Sequence, residues 1–184
     1  MPDPTFKYRL HMADLAVNKV LAAGGRRAVR DYVDLALIHE HVMPLWYAVW
    51  AAPAKDDSWI PVKLLEKIAA TNQFRQAELD EKLLSTLDLS IGEIGARIRE
   101  AVEEARDIFD RLPGRSARRL FVDATGQLVN DVARILAGGD DVSSLDTVIG
   151  GAWPSGPDID AALIESLIRQ YGWDGQGTRS TYGR

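Results

Sequence analysis

The 184-residue chain carries 22 Lys and Arg against 27 Asp and Glu, a net charge of −5, with 46 % apolar and 27 % charged residues. That composition excludes disorder and collagen-like architectures, and at this length roughly 70 % of the unfolded chain's surface is buried on folding, enough for one core. The absence of Cys removes disulfide frameworks, thiolate zinc sites and a thiol nucleophile together.

Asp3, Lys7, Arg9, Asp14 and Lys19 interrupt the first twenty residues, so no signal peptide is expected, and no later run reaches eighteen uncharged apolar residues. A cytoplasmic protein with no membrane association is the expectation. Leu10 to Ala23 is rich in Leu and Ala and reads as a helix stopped by Gly24-Gly25. A second helix from about Arg27 to Glu40 places Val29, Val33, Ala36 and Leu37 on one stripe, and the short connection makes the two an antiparallel pair. Pro44 suits the first turn of a third helix, Leu45 to Ala52, which carries Trp46, Tyr47 and Trp50.

A fourth helix begins near Pro61 and is expected to reach about Arg75, with Val62, Leu65 and Ile68 or Ala69 inward; a fifth covers Ala77 to Leu87. Ser90-Ile-Gly-Glu93 has the form of a capping box, in which hydroxyl and carboxylate satisfy each other's free backbone N–H groups. It opens a sixth helix whose apolar residues, Ile91, Ile94, Ile98, Ala101 or Val102, Ala105, Ile108 or Phe109, and Leu112, recur at helical spacing until Pro113-Gly114. Arg119 to Asp123 and Gln127 to Val129 then read as two short strands around Ala124-Thr125-Gly126. A short segment, Ser144 to Ile149, follows Gly138-Gly139, and a last helix runs from Asp158 to Tyr171 before a Gly-rich tail expected to fray.

The fold class expected is mainly α: a bundle of about seven helices with a small two-stranded β-hairpin near residues 119–130. The expected organisation is a helical domain over 1–112, a hairpin and helical extension over 113–171 packed on it, and a flexible tail over 172–184.

The densest polar grouping, Asp14, Lys19, Arg26, Arg27, Arg30, Asp31 and Asp34, falls within the first two helices. Arg30, Asp31 and Asp34 share one helical face, and Asp14 shares a face with Asn18. Such charges form either salt bridges tying two helices together or an anion site, with cations clamping a phosphate and carboxylates orienting them or holding a metal. Asp14-Leu-Ala-Val-Asn-Lys-Val-Leu-Ala-Ala23 followed by Arg30-Asp-Tyr-Val-Asp-Leu35 resembles the central segment of the nucleotidyl transferase AbiEii toxin family. These are polymerase-beta-like nucleotidyltransferases of type IV toxin–antitoxin and phage-defence systems.

The resemblance implies that Lys19 and Arg30 contact nucleotide phosphates, that Asp31 is the catalytic acid, and that Asp14 and Asp34 support them. It spans roughly residues 10–38. Family members precede this segment with a sheet bearing a Gly-Gly or Gly-Ser turn and an Asp-x-Asp pair for magnesium, and only nine residues stand before Leu10 here. The expectation is therefore the C-terminal helical portion of such an enzyme, either encoded separately or truncated, inactive alone and with no metal or cofactor of its own. Mg2+ and NTP would enter when a separate N-terminal half supplies the sheet, that half or an antitoxin being the expected partner. A different class of reading is a non-catalytic helical interaction module.

Other features carry less. Gly150-Gly151 with Asp158-Ile-Asp160 repeats the missing elements, but Pro154 and Pro157 break the intervening turn and a helix follows where a strand is needed. His39 and His41 are two apart and diverge on a helix, which leaves a helix end as their explanation. Trp46 and Trp50 read as packing anchors rather than base-stacking groups. Arg115, Arg118 and Arg119 read by default as a solvated turn, with RNA phosphates as the functional alternative; the net negative charge gives nucleic acid weak support.

Overall fold

The computed structural model describes residues 2–3, 7–8, 12–82 and 90–145. Among them are seven α-helices and two small antiparallel strand pairs, so the chain is mainly helical. The expected helix over 158–171, the tail and the Gly150–Asp160 segment lie outside the described residues.

Helix α1 (Met12–Gly25) buries Met12, Ala13, Ala16, Val17, Val20 and Ala23, the apolar face that its Ala and Val content supplies. It runs on through both glycines instead of stopping at Ala23. The reason is packing: a Cβ on Gly24 would lie 2.3 Å from Leu64 Cδ1, so Gly24 is where α1 meets the fourth helix closely. Helix α2 (Val29–His41) follows after three residues and buries Val29 and everything from Asp31 to Ile38. Its Tyr32 hydroxyl donates to the Ile68 carbonyl at 2.8 Å.

Helix α3 (Leu45–Ala51) is the centre of the bundle, with all of its residues buried. Helices α1, α4 (Pro61–Thr71) and α6 (Ile91–Phe109) pack around it. Trp46 stacks on Tyr47 at 4.7 Å and Trp50 tilts against Phe109 at 5.0 Å, so both indoles are core anchors. His39 Nδ1 accepts the Leu45 backbone N–H at 3.1 Å, which closes the start of α3 and gives that histidine a structural task.

The inward stripe of α4 is Leu64, Leu65 and Ile68; Val62 falls off its edge and is 49 % exposed, contrary to the sequence reading. The helix ends at Thr71 rather than reaching Arg75. Asn72 Nδ2 instead donates to the Gly95 carbonyl at 3.1 Å and Phe74 turns onto Tyr32, ring centres 4.8 Å apart, before α5 (Gln76–Lys82) begins. Helix α6 has the expected capping box: Glu93 N–H donates to Ser90 Oγ at 3.2 Å and Ser90 N–H to Glu93 Oε2 at 2.8 Å. Its stripe of Ile94, Ile98, Ala101, Val102, Ala105 and Ile108 is buried, each fully covered Ile contributing about 1.5–3 kcal/mol.

Strand β3 (Leu120–Asp123) lies where the sequence places a strand, and the tight turn at Ala124-Thr125-Gly126 forms as well, with Gly126 in the left-handed region (φ 80°). Residues 127–129 run back beside β3 with one bridge, Val122 to Leu128. The regular partner of β3 comes from further along. Asp131 caps the short helix α7 (Val132–Ala137), Gly138 ends it with φ 60°, and the chain returns as β4 (Val142–Leu145), antiparallel with Leu120 opposite Leu145. The buried Tyr47 hydroxyl pins this sheet to the bundle by donating to the Phe121 carbonyl at 2.9 Å and accepting the Phe121 N–H. Strands β1 (Pro2–Asp3) and β2 (Lys7–Tyr8) pair over two residues each. Among the described residues no helix is long and apolar enough to cross a membrane.

Candidate functional site

The three-residue turn between α1 and α2 sets the two helices side by side, so that polar residues on their facing edges meet. Lys19 reaches from α1 to Asp34 on α2, Nζ to Oδ2 2.5 Å, and both are largely covered, at 14 % and 7 % exposure. Burial pushes the Asp34 carboxyl above its ordinary value, the Lys19 ammonium and the more distant Arg30 guanidinium oppose that rise, and Asp31 adds to it. Arg26 grips Asp31 at two points, Nε to Oδ2 at 2.7 Å and a terminal nitrogen to Oδ1 at 3.1 Å. This hydrogen-bonded pairing raises the Arg26 pKa further above its already high value.

Lys19, Arg30, Asp31 and Asp34 are therefore one electrostatic cluster, and Arg26 completes it. Its carboxylates are underneath. Asp31 is 1 % exposed while Arg26, on top of it, is 67 % exposed. Arg30 is half-buried, makes no ion pair among the described residues and acts on Asp34 through space. The cluster holds three cations over two carboxylates, leaving one positive charge in excess at the surface.

Asp14 is elsewhere. It is buried against Lys55, Oδ1 to Nζ 2.7 Å, a pair that ties α1 to the turn after α3, whereas Asn18 is exposed. Lys55 was invisible to sequence reasoning because it sits in a polar loop with no periodicity, and only the tertiary fold brings it to Asp14. The role of Arg26 was likewise missed, since a residue in a turn has no helical register from which to infer a partner. Arg118, in the second basic cluster, adopts φ 76° and donates its backbone N–H to the Trp50 carbonyl at 3.0 Å, which fixes the backbone of that turn against α3.

The chain matches no family model, no curated protein and no solved structure. The donor set of the α1–α2 cluster does not fit the magnesium that the AbiEii resemblance implies. Asp31 and Asp34 each already face a cation, and among the described residues no three carboxylates or imidazoles gather as metal ligands. What the arrangement can do chemically is hold Arg26 and Lys19 in fixed poses, the preorganisation that an anion receptor requires.

Proposed function

We propose that this chain is the helical part of an AbiEii-like nucleotidyltransferase toxin, whose α1–α2 pair forms the cationic wall beside the triphosphate of an NTP. The observation that supports this reading is the layering of the cluster, with Arg26 exposed over a buried Asp31 and Lys19 and Arg30 beside a buried Asp34. Carboxylates beneath cations fix their position without competing for the ligand from above. Arg30 is the cation best placed to take a phosphate, because it gives up no ion pair in doing so. Asp31 enters as a positioning residue for Arg26, since both of its oxygens are occupied and it is covered. Magnesium and its carboxylates belong, in this proposal, to a sheet-bearing N-terminal half, and nucleotide transfer requires both halves.

Isothermal titration of the chain with each NTP in magnesium buffer tests the proposal. Weak binding that Arg30→Ala and Lys19→Ala both reduce is the expected result. No binding, with no difference between wild type and Lys19→Ala, would remove the nucleotide site. The DNA upstream of the Met1 codon provides a second check, because the proposal expects a Gly-Gly and Asp-x-Asp segment encoded there.

A second reading, a non-catalytic helical interaction module, is favoured by the way these charges neutralise one another: Lys19 with Asp34, Arg26 with Asp31, Lys55 with Asp14. Variants that lower the melting temperature without altering any nucleotide titration would select it.

A further inference from the structure

Beside the Arg26–Ala28 turn, a cleft of about 550 Å³ opens between Arg27, the end of α4 and α5, lined by Arg27, Thr71, Gln73, Phe74, Arg75 and Glu78. Its size is within the roughly 300–1,000 Å³ of small-molecule sites. Arg27 is clamped there. Its guanidinium lies over the Phe74 ring, 4.4 Å from the centroid, and donates to the Gln73 carbonyl at 2.6 Å and to both Glu78 oxygens at 2.9 and 3.0 Å. Phe74 is itself backed by Tyr32. A guanidinium held this way and still 47 % exposed is a flat cationic platform on which a heteroaromatic ring stacks.

Two further groups at this opening have no such partner among the described residues. Arg75 is exposed and makes no ion pair among the described residues, and the Gln73 side-chain amide makes no hydrogen bond among them. With Glu78 neutralised by Arg27, Arg75 leaves the cleft one positive charge. An aromatic platform, a free amide and a free guanidinium at one opening are the elements that recognise a planar base carrying a phosphate.

We infer that this cleft binds a free nucleotide: the base stacks on Arg27 over Phe74, the Gln73 amide hydrogen-bonds the base edge, and Arg75 pairs with the phosphate. The inference goes beyond the α1–α2 reading and stands on different residues.

The test is titration of the full chain with AMP, adenosine and inorganic phosphate as separate probes, followed by calorimetry and saturation-transfer NMR. AMP is expected to bind with a Kd of about 0.1–1 mM, and adenosine and phosphate each about tenfold more weakly. Arg75→Ala, an exposed change whose melting temperature serves as the folding control, should bring AMP down to the level of adenosine and leave adenosine unchanged. Arg27→Gln should weaken both. Absence of AMP binding up to about 10 mM, or a Kd indifferent to Arg75→Ala and Arg27→Gln, overturns the inference. AMP binding lost on Arg30→Ala and kept on Arg75→Ala also overturns it, by moving the ligand to the α1–α2 cluster and leaving that reading intact. Tighter binding of a short single-stranded oligoribonucleotide than of AMP overturns it in favour of a strand-binding groove.

Discussion

Lys19→Ala removes one partner of the Lys19–Asp34 pair and leaves a carboxylate only 7 % exposed without its nearest cation. Breaking a buried pair from one side costs about 3–5 kcal/mol, and the lower end applies because Arg30 still acts on Asp34 and Lys19 itself retains some water contact. A loss of about 3 kcal/mol lowers the melting temperature of a chain this long by about 6–12 °C. The effect depends on pH in a definite direction. Asp34 has a folded-state pKa above its unfolded value, so protonation favours the folded form, and the stability this contributes is full below the unfolded pKa and is lost as pH rises through the folded one. Removing Lys19 takes away the main influence opposing the rise, which extends that window upward. Urea denaturation should therefore show the variant far weaker than wild type at neutral pH, with the gap narrowing on acidification towards the ordinary carboxylate range. Lys19→Met with Asp34→Leu should recover most of the loss, because an apolar pair of similar volume replaces a buried ion pair at little cost. A gap below about 1 kcal/mol, or one that does not change with pH, would refute the account of Asp34 as a buried carboxylate held by Lys19.

The two glycines that end α1 should respond oppositely to alanine: Gly24→Ala drives a methyl into the fully buried Leu64 and should destabilise by about 1 kcal/mol net, while Gly25→Ala meets nothing within 4 Å and should stabilise by up to about 1 kcal/mol, both read by thermal melts. Ser90→Ala removes the α6 cap and should cost about 1 kcal/mol in chemical denaturation. In the same variant the Glu93 carboxyl, held low chiefly by the Ser90 backbone N–H and hydroxyl, should titrate closer to its ordinary value by NMR. Tyr47→Phe leaves the Phe121 N–H without its hydroxyl partner and should cost about 1–3 kcal/mol, with amide exchange accelerating in β3 before it does in α6.

The parts of this fold legible in the sequence are those in which local chemistry and burial agree. Helix α6 is the clearest, since its cap is made by two residues three apart and its apolar stripe needs only one period to read. The pairing of α1 with α2 follows from a turn too short to allow another arrangement. Where the reading departed from the structure, a distant contact had decided the matter. Gly24 looks like a helix stop until Leu64 is seen against it, and α4 looks continuous to Arg75 until Asn72 finds Gly95 and Phe74 finds Tyr32. The strand at 120–123 was visible from its own residues, but its full partner at 142–145 depends on α7 reversing the chain, and six residues of helix leave a weak periodic signal. At the site, helical register marks Arg30, Asp31 and Asp34 as neighbours, Lys19 joins them only through the resemblance, and nothing in the sequence pairs Asp14 with Lys55 across α3.

The ion pairs also decide which cations can meet an anion. Lys19, Arg26, Arg27 and Lys55 each face a carboxylate, so a phosphate can use only the N–H donors the acid leaves over, and drawing the cation off its acid carries a penalty that grows with the depth of that acid. It is greatest for Lys55 over Asp14 and Arg26 over Asp31, where the carboxylates are 1 % exposed, and smallest for Arg27, whose Glu78 is one-third exposed. Arg30 and Arg75 carry no such penalty. One belongs to the α1–α2 cluster and the other to the cleft beside α5, so single alanine changes at these two positions separate the two proposed binding surfaces while leaving every buried pair in place.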